Sequence, residues 1–498
     1  MINAVRRSAP ADAGAGPAPG RAMPLLMSAC VVLVVAMVAA INLAVPKLAA
    51  SAVAPTATEL LWIVDSYVLV FGCLLIPAGA LGDRFGRKGA LLAGLGLFAA
   101  GCLLSAAATT VPVLLAGRLL TGVAAALIMP ATLSLLLQVT EPPRRPHAIA
   151  TWTAATGAAG AAGNVAGGAV LQWLPWQGLF LCGAPVALLL ALAVARTAPR
   201  GERHDAALDL PGAALLTAAL FALLFGIIEG PEEGWTSAEV LAGFGCATAF
   251  LAAFLWHALR AEHPLLDPRI FRGARLRSGA LGIGAAFFGL FALFFVNAQY
   301  LQYAKGYGPL HTGLAILPLV IGMFAISRRS VALTHRFGPR AVIGAGVVAL
   351  SAGLGLLSTA DAATPYPLYA IYLVVMSAGM GLCVPALSVG VMAALPPGRA
   401  GLGSGLNGAA REIGSALGVA ALGTVLSSRL SAGLPPALAG RTRSVGEALA
   451  AARAAGTGHD EVVAAFTGAM ATGFRVVAVV VLVLGLAAVA GAGGREAR

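Results

Sequence analysis

Asp65 and Glu412 are the acidic residues that lie well inside long apolar stretches of this 498-residue chain. A carboxylate drawn out of water is harder to ionise, so it can bind a proton facing one compartment and release it toward another. Arg118 and Arg411 lie in the same kind of stretch, and either could tune one of the acids. A charge at that depth is costly and is a functional candidate by default. Structural readings stay open beside the functional ones. Asp65 lies only about 6 residues, ~9 Å of helix, below the expected end of its stretch and could be wetted there. Glu412 could be a local structural carboxylate, and Arg118 could be held by a carboxylate or by backbone carbonyls. Glu412 directly follows Arg411, and successive helical residues face apart, so the two need not pair.

Polar groups within apolar spans tend to face the protein interior or water, which makes Asn42, Tyr67, Asn164, Asn297 and Gln299 candidate cavity residues beside the two acids. Arg328 and Arg329 precede Arg336 by about 8 residues, ~12 Å of helix, and so fall within lipid depth. One of them could face a cavity and favour anionic or zwitterionic cargo; equally, both could snorkel to the surface. Other chemistry finds no support. The six cysteines have neither metal-site nor disulfide spacing, and no HExxH, GxSxG or Walker sequence occurs. Gly403-x-Gly405-x-x-Gly408 matches a dinucleotide pattern only formally, because no strand precedes it. No metal and no cofactor is expected.

The elements that must position these groups follow from composition. The chain is 59% hydrophobic and 10% charged, with mean hydropathy +0.89, against about 25% charged residues in an ordinary soluble domain. Its 63 glycines sit among alanines in apolar segments, as in helices packed closely in lipid. About 20 apolar residues cross a bilayer core as a helix. Such stretches occur at 24–45, 60–81, 89–108, 112–137, 148–171, 177–196, 210–228, 237–259, 276–300, 312–333, 341–360, 367–394, 402–427 and 470–492. The reading is an all-helical membrane protein of about fourteen spans. A disordered tail at 1–23 precedes a six-helix bundle at 24–196, then two inserted helices with linkers at 197–275. A second six-helix bundle at 276–492 includes a long outer loop, 428–468, and a short tail at 493–498 ends the chain.

Alternate loops separate sharply by charge. One set holds Arg84, Arg87, Lys88, Arg144, Arg145, Arg200, Arg203, Arg260, Arg269, Arg272, Arg275, Arg336, Arg340 and Arg399, while the opposite short loops hold Lys47 and Lys305. This asymmetry places both termini in the cytoplasm. It also explains the net charge of +12 without nucleic acid. The segment Gly82-Asp83-Arg84-Phe85-Gly86-Arg87-Lys88 is echoed by Thr334-His335-Arg336-Phe337-Gly338-Pro339-Arg340, the repeat logic of secondary transporters.

Gly79-Ala80-Leu81-Gly82-Asp83-Arg84-Phe85-Gly86-Arg87-Lys88 resembles the signature loop of the major facilitator superfamily. Its glycines permit a tight turn and close helix approach, and Asp83 could cap a neighbouring helix N-terminus as a conformational latch; a solvated loop obeying the charge rule is the plainer reading. Leu114-Leu115-Ala116-Gly117-Arg118-Leu119-Leu120-Thr121-Gly122 resembles the superfamily's fourth-helix motif, whose arginine is associated with proton movement. The run from Gly157 to Gly168, with Gly163, Gly167 and Gly168, resembles the glycine-rich motif of antiporter branches. Asn164 stands there where the family usually has proline, so the expected kink is lost and close packing would account for the glycines equally well.

From about Leu25 onward the chain is most similar to the fourteen-span drug:proton antiporters, including quaternary-ammonium efflux pumps. Glu59-Leu60-Leu61-Trp62-Ile63-Val64-Asp65-Ser66-Tyr67, Pro264-Leu265-Leu266-Asp267-Pro268-Arg269-Ile270-Phe271 and Arg411-Glu412-Ile413-Gly414-Ser415-Ala416-Leu417-Gly418 carry the likeness further. These pumps typically have an aspartate in the first helix and some have another in the tenth, where this chain has Met37 and Met323. The resemblance implies two six-helix bundles, alternating access, and export of a small molecule from the cell membrane against inward proton flow, by a monomer. Uptake or uniport of a metabolite is the alternative, and a membrane-embedded enzyme or sensor a more distant one.

Overall fold

The computed structural model describes residues 22–49, 51–53, 55, 57–199, 209–395, 400–435, 445–455 and 458–492. Residues 1–21 and 493–498 of the two expected tails and three arginines of the basic loops, Arg200, Arg203 and Arg399, lie outside the described residues, while Ala22 and Met23 already belong to the first helix. Among those described there are sixteen α-helices and no strand. The first six are α1 (Ala22–Ala49), α2 (Ala57–Phe85), α3 (Arg87–Ala106), α4 (Val111–Gln138), α5 (Arg145–Trp173) and α6 (Gln177–Thr197). Then come α7 (Leu210–Glu233) and α8 (Ala238–Ala258). The rest are α9 (Ala274–Gln299), α10 (Pro309–Ala315), α11 (Leu317–Phe337), α12 (Pro339–Leu357), α13 (Tyr366–Ala393), α14 (Ala400–Gly433), α15 (Val445–Ala455) and α16 (His459–Gly491).

Thirteen helical segments among the described residues are long and apolar enough to cross a membrane. The fifth expected span, α5, is not one of them. Its 29 residues give it the length, but glycine and alanine dilute its hydropathy. With α5 the count reaches the fourteen expected. The tenth expected span is broken in two, α10 and α11, at Ile316, just before Pro318, whose missing N–H cannot continue the hydrogen-bond ladder. The segment 428–468, expected as a loop, instead holds the end of α14, all of α15 and the start of α16.

The two sets of six spans repeat one arrangement. In the first, α1 packs on α5, α2 on α4, and α3 on both α4 and α6; in the second, α9 packs on α14, α11 on α13, and α12 on both α13 and α16. The echoed loops show why. Gly86 and Gly338 both have positive φ, 101° and 80°, and each starts the next helix. Two residues on, Lys88 donates to the carbonyls of Ala195 and Ala198 at the end of α6, and Arg340 donates to Ala490 at the end of α16. A cation satisfying terminal carbonyls suits the negative end of a helix.

Close packing within each half also repeats. A Cβ on Gly163 would collide with the backbone of Ala36, and one on Gly167 would sit 2.7 Å from Ala40 Cβ. In the second half, Gly414 and Gly418 press in the same way on Gly284 and Phe288 of α9. Both pairs have the i, i+4 spacing of a single helix face. Gly168 has no such demand, with only Leu43 at 4.0 Å. The halves meet where α2 packs on α14 and α5 on α11. The inserted helices attach at one side, α7 resting on α2 and α14 and α8 packing on α7. Trp235, between them, donates to Thr424 of α14 at 2.9 Å.

Candidate functional site

The signature loop joins the halves at the arginine-rich end of the bundle. Asp83, in the last turn of α2, accepts the backbone amides of Gly401 and Leu402 at 3.0 and 3.1 Å, the open donors of the first turn of α14. Arg87 Nε donates to the same carboxylate at 3.2 Å. The approach depends on glycine on both sides, because a Cβ on Gly79 would strike the Gly401 backbone and one on Gly401 would lie 2.6 Å from Asp83 Oδ1. Gly82 packs against Ala90, and Arg84 lies over the Phe85 ring at 5.4 Å. The loop is therefore a contact between halves and more than a solvated turn.

Farther along α2, two arginines flank a pair of its rings, Arg118 from within the first half and Arg411 from the second. Arg118 is 0% exposed. Its Nε donates to the Ile63 carbonyl at 2.8 Å and its Nη2 to Val64 at 3.2 Å, and its guanidinium lies over the Tyr67 ring at 4.6 Å. Tyr67 donates to the Val34 carbonyl at 3.0 Å and sits 6.0 Å from Phe71, one turn on. Arg411 then packs against Phe71 and Phe287, 5.8 Å from each ring. Glu412 accepts Arg411 Nε and Nη2 at 3.0 and 2.8 Å, and both residues are under 8% exposed. Adjacent helical residues do pair here, because both side chains are long and water is excluded. Sequence reasoning set Arg411 and Glu412 on divergent faces and gave no weight to Phe71, which the i+4 spacing from Tyr67 could have flagged.

Asp65 stands apart from Glu412. It lines a small cleft, with a cavity volume of about 10 Å³, between α2 and α7, together with Trp62, Leu69, Phe225, Ile228 and Glu229. Trp62 and Phe225 stack there with centroids 6.0 Å apart. Glu229 escaped the sequence reading because the seventh span was ended at residue 228, whereas α7 runs on to Glu233. A second carboxylate thus shares the Asp65 cleft.

The remaining candidates disperse. Asn297 accepts the Tyr369 hydroxyl at 2.7 Å inside the second half. Asn42 and Gln299 donate back to the carbonyls of Val38 and Phe295 one turn earlier. Asn164 is half-buried where α10 approaches α5, its backbone 3.8 Å from a Cβ placed on Gly313. Arg328 and Arg329 are exposed, on the stripe of α11 that also carries Ile321, 64% exposed. The Arg328 guanidinium folds over Phe324 at 4.4 Å.

A second cleft, with a cavity volume of about 10 Å³, lies between the halves, where Thr153 and Gly157 of α5 face Met323 and Ser327 of α11, Met380 of α13 and Phe287 of α9. Ser327 donates to the Ala150 carbonyl at 3.1 Å across this seam. Sites for drug-sized ligands occupy about 300–1,000 Å³, whereas this one has room for about one water, so the halves stand closed on one another. Among the described residues no group of three or more His, Cys, Asp or Glu could hold a metal ion. The geometry is that of two bundles bridged at their basic end by the hydrogen bonds of one carboxylate, with a buried Arg–Glu pair and a small apolar cleft between them.

Comparison with known proteins agrees with this architecture. The Major Facilitator Superfamily profile matches residues 27–419. The chain is 33% identical over 375 residues to the methylenomycin A resistance protein of Streptomyces coelicolor, covering 75% of this chain and 79% of that one. It is 33% identical over 373 residues to the tetracenomycin C resistance and export protein of Streptomyces glaucescens, covering 74% and 69%. Among solved structures, the human organic anion transporter MFSD10 superimposes with a TM-score of 0.63 at 16% identity, over 95% of this chain and 100% of that one, a likeness of fold alone.

Proposed function

Because this chain belongs to the Major Facilitator Superfamily, we propose that it exports drug- or antibiotic-like small molecules across the cell membrane in exchange for protons. The observation that carries the coupling is the buried Arg411–Glu412 pair on the helix of the second half that packs against α2. Protonating Glu412 removes the charge that holds Arg411, and the freed cation must find another partner or the seam must open. A buried pair that loses one charge is strongly destabilised, so a single proton supplies enough free energy to bias a rocking motion. Asp65, with Glu229 beside it, is the second proton-binding candidate, and Arg118 lies one aromatic pair away from Arg411.

In this reading the basic loops and both termini face the cytoplasm, and the Asp83 latch closes the cytoplasmic gate. Breaking it as α2 and α14 part would open the inward-facing state, while the closed cleft between α5 and α11 would admit cargo after the halves separate. The export direction is carried over from the resistance and export relatives; the fold alone serves uptake as readily. One chain holds both halves and both clefts, so the monomer suffices.

Everted vesicles carrying the protein test this. Cargo added outside should collapse an imposed proton gradient in the wild type, and should fail to do so in Glu412→Gln. Uphill pumping that survives neutralisation of Asp65 and Glu412 together would dismiss carboxylate coupling at these positions.

A further inference from the structure

The buried and exposed residues of α11 separate cleanly around the helix. Leu319, Met323, Ser327, Ser330 and Val331 are buried. Two of them fix how the helix sits: Ser327 donates to the Ala150 carbonyl of α5 at 3.1 Å, and Ser330 to the Leu382 carbonyl of α13 at 2.8 Å. At 3.6 residues per turn, Ile321, Ala325, Arg328, Arg329, Ala332 and Arg336 fall together on the opposite face, and all six are exposed. In a membrane span, a face turned away from its packing neighbours meets lipid.

Along this face the order is apolar and then cationic. Arg328 lies about 8 residues, ~12 Å of helix, before Arg336, deeper than the loop arginines that mark one side of the membrane. Ile321, 64% exposed, lies two turns deeper still. A guanidinium at such depth needs a partner within reach. Among the described residues no ion pair holds Arg328 or Arg329. No acidic residue occurs in α11, nor in α5, α10, α12 or α13, which pack on it. Glu141, in the loop that enters α5, pairs with Arg144 at 3.8 Å. The Arg328 guanidinium lies flat over Phe324 at 4.4 Å, a stacking that occupies its face and leaves its N–H edge to an anion.

We propose that this face of α11 binds an anionic phospholipid of the cytoplasmic leaflet, its phosphate held by Arg328 and Arg329 and an acyl chain lying along Ala325 and Ile321. Arginine forks suit phosphate oxygens, and basic sites beside membrane helices on the cytoplasmic side recognise anionic headgroups. A soluble anion would meet only the cationic part of the face, whereas a phospholipid matches the cationic and apolar parts in their order along the helix. Ser327, adjacent to Arg328, makes the hydrogen bond that crosses to the first half, so the lipid would sit beside the seam between the halves. The site goes beyond the export reading and holds whichever way cargo moves.

Native mass spectrometry of the purified full-length protein tests this, with phosphatidylglycerol or phosphatidylcholine added to the detergent. Phosphatidylglycerol should be retained at least about tenfold better than phosphatidylcholine. Arg328→Gln with Arg329→Gln should lower its retention at least about tenfold, and each single change about threefold. Arg429→Gln with Arg453→Gln removes the same charge from exposed positions of α14 and α15 and should leave retention within about twofold. Equal retention of the two lipids, or equal losses in the two double variants, overturns the site and leaves only diffuse attraction between charges. If the double variant does not purify, unchanged retention in both single variants overturns it as well. Displacement of phosphatidylglycerol by millimolar inorganic phosphate would give the arginines to a soluble anion and overturn the lipid as occupant. No proton gradient enters the measurement, so its failure leaves proton-coupled export standing, and loss of export leaves the lipid site standing.

Discussion

Asp83 reaches across the molecule to Gly401, accepting its backbone amide at 3.0 Å over 318 positions of sequence. One side chain at the end of α2 thereby holds the first turn of α14, and through it one half of the protein against the other.

Removing that acceptor should free the latch. Two amide bonds to a charged acceptor contribute on the order of 2–3 kcal/mol together, enough to shift a two-state balance roughly thirtyfold or more. Asp83→Ala should lower transport at least tenfold and expose α2–α14 seam positions, read by cysteine labelling of introduced thiols, with Asp83→Asn falling between. Unaltered labelling in Asp83→Ala would reduce the contact to a passive one.

The glycine seam predicts a contrast between neighbours. A Cβ on Gly405 would lie 2.6 Å from the Leu75 carbonyl oxygen, whereas one on Gly408 would meet only the tip of the Leu75 side chain, at 3.0 Å. Backbone cannot move aside as a side chain can, so Gly405→Ala should cost about 1–3 kcal/mol and Gly408→Ala much less. Melting midpoints of the two purified variants decide this; similar losses would show that the helices can part at either place.

Arg411 and Glu412 should behave as a unit. Removing either alone leaves a buried charge uncompensated, at about 3–5 kcal/mol. Replacing both, as Arg411→Met with Glu412→Leu, should recover most of the stability yet none of the proton-coupled transport. A double-mutant cycle on thermal stability, with vesicle transport beside it, separates the two effects; additive losses would mean that the pair does not act together.

At the base of the inserted helices, Asp209 accepts the amides of Gly212 and Leu265 at 2.8 and 3.0 Å and sits 2.7 Å from His257 Nε2. Partial burial works to raise this carboxyl, but the two amides and His257 outweigh it and hold it below the ordinary value of 3.8. A folded value below the unfolded one means that the contribution is present above about pH 4 and is lost as pH falls through the folded value. Melting midpoints between about pH 3 and 6 should therefore fall more steeply in the wild type than in Asp209→Asn. Parallel curves would remove Asp209 as the source.

Arg328 and Arg329 sit on an exposed stripe beside Ile321. Changing each to Gln should leave the preference between uncharged and cationic cargo within about twofold, as for surface changes elsewhere. A larger change in an accumulation assay would place one of them in the cargo path.

Much of this protein could be read without coordinates, and the exceptions have local causes. The fourteen stretches reappear as helices because apolar length is a local property, and Gly82–Lys88 announced its echo at 334–340 because both segments build the same turn. The carboxylate of Glu229 was overlooked because hydropathy falls off before a helix ends. Asn297 was expected in a cavity, yet its oxygen meets Tyr369, 72 positions away on another helix. The glycines of the fifth span suggested an antiporter motif, while their counterparts at Gly414 and Gly418 reveal a shared way of packing one helix on another.

Composition and the distribution of arginine determined that the chain threads a membrane many times and with which set of loops on one side, since transfer from water and the bias of basic loops act segment by segment. Only the tertiary structure decided that Glu412 turns to its own neighbour and that Asp65 shares a cleft with Glu229. Those outcomes depend on the rotation and depth at which each helix docks, and these are set by small residues meeting across hundreds of positions.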